Sequence, residues 1–491
     1  MSKKDIVINV SNVETRIALL DEGRLYEYYL EQPVQTSLVG NVYRAKVLNL
    51  ISGLKAAFVN IGYERNGFLP LNEIPFEEFS DIFESEVEFE HGYRPEEIKL
   101  RKDQETIVQV TKDSYGVKGP RVTSYISIPG RYIVLLINAK NIGVSRKIRN
   151  RREREELFKT GKQIKPQGMG LIIRTAAARA RHDEIKREVE YLTRNWEQSL
   201  QNTKDPAPSL IYREPDTLIK TVRDLFNNEV RSLYIDSEVG FRKILNYLGI
   251  VSPRMRSRVK LYSDPLPLFQ KFNIEEQLKE LQDRRVWLKS GGYIVIDQTE
   301  ALVSIDVNTG KSSKEKQAEK LALSTNIEAL AEVARQLRLR DIGGLVVVDL
   351  IDLEKRENIN RILREFRTLI RDDRARYRIG GMSDFGLFLF TRERSRASVT
   401  HTLSEVCPVC KGKGRITSRQ STLGHLERWF ANNSSSIRGK MVEVRTSPRF
   451  ADFISLHHAE TLSKLSKEYS LILRLKGDYS INEGDFKVVV V

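Results

Sequence analysis

The sequence has 491 residues, of which 40% are hydrophobic, and a formal net charge of +15 from 81 lysines and arginines against 66 aspartates and glutamates. This length is too great for a single hydrophobic core, so about three to five domains are expected. No apolar run reaches the roughly 18 residues of a membrane span, and the N-terminus is no signal peptide, which predicts a soluble, cytoplasmic protein with no membrane partner. The positive charge favours a polyanionic partner, although a merely basic protein would have the same composition.

The first strongly patterned region, residues 36–123, is predicted to be a small closed β-barrel. Short strands separated by turn signals run through 40-GNVYRAKVLNLISGLKAAFVNIGYERNGFLPL-71 and 105-ETIVQVTKD-113, with apolar residues alternating at Ala57, Val59 and Ile61. About five such strands suit an OB fold. The acidic stretch 73–97 interrupts them and is predicted to be a solvated excursion on the face away from any nucleic acid.

Residues 124–281 alternate between strands and helices, which indicates an α/β organisation. In order, the predicted elements are a strand at 131–140, a helix at 145–159, a strand at 170–177, a helix at about 178–200, a linker at 203–209, and then helix, strand, helix and strand at 217–226, 232–236, 239–249 and 259–263. The second strand is apolar until Arg174 and Thr175. A guanidinium fork there suits a terminal phosphate, or it pairs with a nearby acidic residue; the sequence leaves both open.

Residues 282–402 have the clearest pattern and predict helices packed on one sheet. The predicted elements are a hairpin over 293–305, a helix at about 314–340, a strand at 343–353, a helix at about 355–374 and a strand at 384–390. Apolar residues at three- and four-residue steps mark the first helix as packed on a sheet: Leu323, Ile327, Leu330, Ala334 and Leu337. The run 345–348 is wholly apolar and is therefore predicted to be a central strand buried on both faces.

Two strands of this region end in an aspartate, Asp306 and Asp349. Ligands of open α/β sheets collect beyond the carboxyl ends of strands, so the two carboxylates lie together if the strands are neighbours. Paired carboxylates without a nearby histidine favour Mg²⁺ or Mn²⁺, and Asn308 adds an amide oxygen. Alternatively, each aspartate caps the turn or helix that follows it. Asp297 and Asp352 are weaker candidates.

The only two cysteines, Cys407 and Cys410, occur in 407-CPVCKGKG-414. This glycine- and lysine-rich turn is typical of zinc knuckles and lacks the βαβ context of a thioredoxin-like redox motif. Tetrahedral Zn²⁺ needs four ligands and one chain supplies two, so a zinc ion shared by two chains about a two-fold axis is predicted. Whether such dimers pair into tetramers is left open. The tail, 416–491, is predicted to be a small α/β module without a chemical signature.

Four segments together resemble the ribonuclease E/G family of bacterial endoribonucleases: 300-EALVSIDVNTG-310, 335-RQLRLRDIGGLVVVDLIDL-353, 372-DDRAR-376 and 406-VCPVCKGKG-414. The resemblance extends from the N-terminus to about residue 416. The long proline- and charge-rich tail of ribonuclease E is missing from the sequence, which is therefore expected to be most like the ribonuclease G branch.

The resemblance implies a domain plan in which an RNase H-like domain is split around an OB-fold barrel of the ribosomal S-one type and a 5′-sensor region. The implied segments are RNase H-like parts at 1–35 and 216–281, the barrel at 36–123, the sensor at 124–215, a DNase I-like catalytic domain at 282–402, a zinc link at 403–415 and a small domain at 416–491.

The resemblance also implies roles for individual residues. Asp306 and Asp349 match magnesium-binding catalytic carboxylates, with Asn308 as their companion amide, and Cys407 and Cys410 match the shared zinc site. Phe58, Phe68 and Lys112 match an RNA-binding platform, and Gly119, Arg174, Thr175 and Arg376 match a pocket for the RNA 5′ end. From the residues alone, either phenylalanine could instead belong to the barrel core.

The function expected from this resemblance is magnesium-dependent cleavage of single-stranded RNA, in rRNA maturation and mRNA decay, leaving a 5′-phosphate and a 3′-hydroxyl. A preference for substrates with a 5′-monophosphate is also expected. The alternative is an RNA-binding assembly factor whose carboxylates no longer act in cleavage, and a dithiol redox enzyme is a third reading. The sequence does not indicate which RNAs are cut.

Overall fold

A computed structural model of the chain describes residues 4–32, 37–74, 100–114, 118–310, 318–371, 373–394 and 398–490. The chain divides into two compact units, Met1–Val399 and Thr400–Val491. It is a mixed α/β protein that contains a closed β-barrel, as predicted from the sequence. Within the described ranges, no helix combines the length and the apolar character needed to cross a membrane.

The first sheet joins the N-terminus to a segment that follows the barrel. Numbered in chain order, its strands are β1 Lys4–Val10, β2 Thr15–Asp21, β3 Arg24–Glu31, β14 Val230–Ile235 and β15 Val259–Leu261. They lie in the order β15-β14-β1-β2-β3, with β1 parallel to β14. Its helices are α3 Thr217–Asp224, α4 Glu238–Val251, α5 Leu268–Lys271 and α6 Ile274–Lys279. Side chains of Asp216 and Ser237 cap α3 and α4, which fixes where these helices begin.

The second sheet is the predicted barrel. Its strands are β4 Val42–Ile51, β5 Ala56–Asn60, β6 Gly67–Pro70, β7 Glu105–Lys112 and β8 Arg121–Thr123, and β13 Ser209–Tyr212 adds to β4. The ring closes because β4 pairs with both β5 and β7. Ala57, Val59 and Leu69 are fully buried inside it. The alternation in the sequence therefore predicted the barrel correctly, and residues 75–97 of the acidic stretch lie outside the described ranges.

The third sheet has the strand order β11-β12-β10-β9. Its strands are β9 Ser127–Pro129, β10 Ile133–Leu136, β11 Ile142–Val144 and β12 Gly170–Ile173, and its helices are α1 Arg151–Ile164 and α2 His182–Asn202. Helix α1 begins later than the predicted residue 145 because the Asn150 side chain accepts hydrogen bonds from the backbone N–H groups of Arg152 and Glu153. The buried Glu188 of α2 accepts hydrogen bonds from the backbone N–H groups of residues 131–133, which fixes the turn before β10.

The fourth sheet has the strand order β16-β17-β18-β19-β21-β20, with β18 and β19 parallel. Its strands are β16 Arg285–Trp287, β17 Tyr293–Gln298, β18 Leu302–Asn308, β19 Gly344–Asp349, β20 Tyr377–Met382 and β21 Leu387–Arg392; its helices are α7 Ala318–Leu339 and α8 Arg356–Leu369. Strands β16 and β20 were not predicted. The first has only three residues, and the second contains Gly380 and Gly381, which weaken a strand pattern.

The apolar stripe of α7 packs into the core of this sheet, as predicted, together with Val346 and Val348 of β19. The prediction that β19 is buried on both faces is wrong: Leu345, which points to the opposite face, is 41% exposed. We call this the open face, and it carries Asp306, Asn308, Leu345 and Asp349. A run of apolar residues does not reveal that helices pack on one side only.

The second unit is built on a three-stranded sheet with the order β23-β22-β24. Its strands are β22 Met441–Thr446, β23 Ile472–Gly477 and β24 Phe486–Val490; its helices are α10 Arg419–Asn432, α11 Ser434–Ile437, α12 Pro448–His457 and α13 Ala459–Glu468, and α9 Val399–Leu403 spans the boundary between the units. Leu426, Phe430 and Phe450 are buried in its core. It is thus a small α/β module, as predicted.

Candidate functional site

The structure brings Asp306 and Asp349 together at the end of the fourth sheet. Strands β18 and β19 are parallel, and in their register Asp306 lies directly opposite Asp349. Neighbouring strands are about 4.8 Å apart, and paired residues point to the same face, so the two carboxylates are adjacent. Both side chains are exposed. Asn308 lies two residues further along the same face, and its Nδ2 donates a hydrogen bond to Oδ2 of Asp306 at 2.7 Å.

These donors fit a hard divalent cation. Mg²⁺ usually takes one or two protein carboxylates and completes its shell with waters and substrate phosphates. The described residues contain no group of three or more histidine, cysteine, aspartate or glutamate side chains that could hold a metal, so a protein-only cage of the zinc type does not fit. Asp297, a weaker candidate, is already engaged in an ion pair with Arg284.

A row of neighbouring residues crosses the outer surface of the barrel. Phe58 and Phe68 are direct cross-strand partners with ring centroids 5.8 Å apart, and both are half-buried. Phe68 pairs with Arg121, which in turn pairs with Lys112. The phenylalanines alternate with the barrel core and so do not belong to it. The sequence-based prediction overlooked Arg121, which places a second cation between Lys112 and the aromatic pair.

The first residue of the acidic stretch, Glu73, lies beside this row. Its Oε1 accepts from Arg121 Nη2 at 3.2 Å, and its Oε2 accepts from the Thr123 hydroxyl at 2.9 Å. The stretch therefore begins next to the aromatic surface, while its residues 75–97 fall outside the described ranges.

Arg174, Thr175 and Arg376 all line one large cleft of about 1710 Å³. Among the described residues, eleven lysines and arginines line it against two acidic residues. Helix α1 contributes several of these cations from one face, about 140° wide at 100° per residue: Arg151, Arg154, Lys159 and Lys162. A cleft with this excess of positive charge suits a polyanionic ligand.

The guanidinium of Arg174 is held in place by two acceptors. Its Nη1 donates to the backbone carbonyl of Gly130 and to Oδ1 of Asp224 at 2.9 Å. Burial opposes ionisation of Asp224, but the guanidiniums of Arg223 and Arg174 outweigh it and hold the pKa of that carboxyl below its usual range. The acidic partner that the sequence left open is thus present, and Arg174 is still 31% exposed.

Gly119 is not among the residues that line the cleft. It lies on the barrel, where a Cβ at this position would be 2.1 Å from the backbone oxygen of Asn66. A glycine is therefore needed there for the close approach of two loops. The glycine that contacts Arg174 is Gly130, which sequence reasoning did not select.

The two cysteines lie in a tight turn of the second unit. The backbone N–H of Lys411 donates to the Cys407 carbonyl at 2.8 Å, and Lys411 and Gly412 both have positive φ. Hydrogen bonds from the backbone N–H groups of Cys410 and Val409 lower the pKa of the Cys407 thiol. A turn that stabilises a thiolate fits a zinc ligand, and the described part of the chain supplies no third ligand beside it.

The candidate site residues that were not predicted from the sequence fall into two groups. The cations of α1 left a usable signal, since their spacing follows one helix face from Arg151 onward. Arg121, Gly130 and Asp224 left none, because each acquires its role through a partner on a different strand or helix.

Comparison with known proteins gives consistent matches. Residues 127–395 match the Ribonuclease E/G family profile. The chain is 31% identical to Ribonuclease G of Escherichia coli (strain K12), with 99% of both chains covered, and 31% identical to Ribonuclease G of Haemophilus influenzae over the whole of both. It is 35% identical to Ribonuclease E of Haemophilus influenzae over 99% of its own length, but it spans only about half of that protein, 52%.

Proposed function

This chain belongs to the ribonuclease E/G family and is an endoribonuclease, and from that premise we propose that Asp306, Asn308 and Asp349 form its catalytic centre. The observation that carries this proposal is the direct pairing of Asp306 with Asp349 on the open face. The proposed reaction is hydrolysis of single-stranded RNA in rRNA precursors and mRNA of the cytoplasm, leaving a 5′-phosphate and a 3′-hydroxyl.

The two carboxylates would hold Mg²⁺, or Mn²⁺ in its place. When bound, such an ion lowers the pKa of water and offsets negative charge that develops on the phosphate. Asn308 orients Asp306 through the hydrogen bond from its Nδ2. Because neither aspartate is buried, the phosphodiester of a flexible RNA strand can approach both from solvent.

The replacements Asp306→Asn and Asp349→Asn test this assignment. Each keeps the side-chain shape but removes a charged metal ligand, so cleavage should slow by about 10² to 10⁴-fold. Binding of RNA should change little, because most affinity comes from lysine and arginine contacts to phosphates. Cleavage of a labelled single-stranded RNA would be measured with and without Mg²⁺.

Asp297→Asn is the matched control. It makes the same chemical change on the neighbouring strand β17, in a carboxylate that is engaged by Arg284. This variant should cleave RNA at close to the parental rate. A near-parental rate for Asp306→Asn or Asp349→Asn would instead remove that carboxylate from the catalytic centre.

We also propose that RNA is held by the barrel row and by the basic cleft. Half-exposed aromatic rings next to cations, as at Phe58, Phe68 and Lys112, suit unstacked bases and their backbone. In the cleft, Arg174, Thr175 and Arg376 would bind a 5′-monophosphate, which favours substrates that carry one. Gly119, the fourth residue of that prediction, packs against the backbone of Asn66, and its part in binding the 5′ end stays a prediction.

The implied domain plan is part of the proposal. The pairing of β1 with β14 supports an RNase H-like domain that is split by the barrel and the sensor region, and the helices on the fourth sheet suit a DNase I-like catalytic domain. Cys407 and Cys410 would each give a thiolate to one Zn²⁺ shared by two chains. The enzyme would then be a homodimer, or a tetramer if such dimers pair.

A further inference from the structure

Two aromatic residues and an arginine form a cluster on the open face, on the edge strand β16 and its neighbour β17. Trp287 is 63% exposed, and it is the direct cross-strand partner of Tyr293. Their ring centroids are 5.3 Å apart at an interplanar angle of 64°. The guanidinium of Arg285 lies 4.5 Å from the Tyr293 ring centre and 5.8 Å from that of Trp287. We call these three residues the edge cluster.

The strand register places the edge cluster beside the proposed catalytic centre. Tyr293 is the direct partner of Asn308, so Trp287, Tyr293 and Asn308 form one row on the same face. Arg285 is the direct partner of Val295, and Val295 is the direct partner of Asp306, so these three residues form a second row. Since neighbouring strands are about 4.8 Å apart, the Trp287 backbone is about 10 Å from that of Asn308.

Trp287 packs edge-to-face against Tyr293 and leaves much of its own ring exposed, which gives a nucleobase a surface on which to stack. We propose that the edge cluster binds the base and phosphate of a nucleotide that neighbours the scissile bond, with the base stacked on Trp287. Arg285, held over the Tyr293 ring, contacts the phosphate. This inference rests on the proposed catalytic role of Asp306 and Asp349. Because stacking needs only a π-face, every base is accepted, with purines bound more tightly than pyrimidines.

A protein partner is the competing occupant of this edge, because an edge strand can also pair with another chain. The cation within the cluster favours RNA. An arginine whose guanidinium lies beside both aromatic rings, in a chain with a net charge of +15, complements a phosphate next to a stacked base.

The first experiment measures binding without cleavage, by titrating the protein with a single-stranded oligoribonucleotide in a buffer without added Mg²⁺ or Mn²⁺ and recording tryptophan fluorescence. The chain has three tryptophans, and Trp196 is only 4% exposed. The signal of Trp287 is isolated as the difference between the parent and Trp287→Phe. RNA should quench this difference signal. If RNA does not quench the difference signal, the proposal is overturned. It is also overturned if the difference signal changes with protein concentration and not with added RNA, which would indicate that a protein covers Trp287.

The second experiment combines changes at Trp287 with removal of single bases from the RNA, to identify the base that Trp287 contacts. In an RNA with one cleavage site, the base is removed from one nucleotide at a time over three positions on each side. The parent should lose cleavage efficiency, as kcat/KM, by about 5- to 150-fold at one of these positions. Removal of the base at that position should leave kcat/KM of Trp287→Ala unchanged. For Trp287→Phe it should lower kcat/KM as it does for the parent. Equal sensitivity of parent and Trp287→Ala at every position overturns the proposal.

Tyr479→Ala is the matched control, since Tyr479 is 95% exposed and lies in the second unit. It should match the parent in both experiments. The two proposals fail differently: near-parental cleavage by Asp306→Asn removes the catalytic assignment. If only the proposal for the edge cluster is wrong, Asp306→Asn is still inactive and the fluorescence of Trp287 does not change with RNA.

Discussion

At the scale of single residues, the roles in this protein depend on partners that lie far away in the chain. Arg174 is fixed by the carbonyl of Gly130 and the carboxylate of Asp224, on two other elements. Asp224 also pairs with Arg223, so its single carboxylate does not neutralise both guanidiniums. Arg174 also faces a cleft with a large excess of cations, so a ligand phosphate is the group that would offset the remaining charge.

Arg174→Ala should therefore erase the preference for a 5′-monophosphate. The rate on 5′-monophosphorylated RNA should fall to the rates on RNA with a 5′-triphosphate or 5′-hydroxyl, because only the first uses the guanidinium. Cleavage of the three substrates would be compared side by side. Arg179→Ala, an exposed arginine nearby that does not line the cleft, serves as the control. An equal slowing of all three substrates would make Arg174 a structural residue.

At the scale of elements, α1 lines the cleft with one of its faces. Its cations Arg151, Arg154, Lys159 and Lys162 share one face, and Leu157 on another face is buried in the core. A helix of 14 residues is about 21 Å long, so this face can contact several consecutive phosphates.

Replacing Arg154, Lys159 and Lys162 together by glutamine should weaken RNA binding and make it less dependent on salt. Each lost phosphate contact on a single strand lowers the slope of log affinity against log salt by about 0.7, so a reduction of about 2 is expected. Glutamine has nearly the helix propensity of lysine and arginine, so α1 should remain folded, which circular dichroism would check. Binding would be measured over a series of salt concentrations.

The control for this variant removes three exposed cations that do not line the cleft, by the changes Arg152→Gln, Lys186→Gln and Arg194→Gln. It has the same net charge as the α1 variant. If the slope of log affinity against log salt falls by the same amount in both variants, the effect comes from overall charge and α1 makes no specific contact.

At the scale of the whole molecule, the protein combines a first unit that carries the candidate RNA-binding and catalytic residues with a second unit that carries both cysteines. A shared zinc ion would make assembly depend on the metal, because two thiolates from one chain leave the tetrahedral shell half filled. Metal content and oligomeric state should therefore change together.

The double replacement Cys407→Ser with Cys410→Ser should remove bound zinc and shift the protein from dimer to monomer. Elemental analysis of the parent should give one zinc per two chains, and light scattering would report the mass of both forms. Ser435→Ala with Ser463→Ala, two changes of exposed serines outside the turn in the same unit, serves as the control. One zinc per chain in the parent, or a variant that remains dimeric without zinc, contradicts the shared site.

The sequence by itself determined the features that depend on local pattern. Period-two alternation predicted the barrel strands, the apolar stripe of α7 predicted its packing on a sheet, and the strand-end positions marked Asp306 and Asp349. These signals are readable because the backbone geometry of a strand or helix repeats within a few residues.

Only the tertiary structure decided which elements meet and in which register. It placed Asp306 opposite Asp349, left one face of the fourth sheet open, turned Phe58 and Phe68 outward, and joined Arg174 to Gly130 and Asp224. It also packed Gly119 against the backbone of Asn66 and placed Trp287 in one row with Asn308. The physical reason is that pairing register and the coverage of a sheet face depend on residues distant in the chain, and a shift by one residue would reverse every side chain.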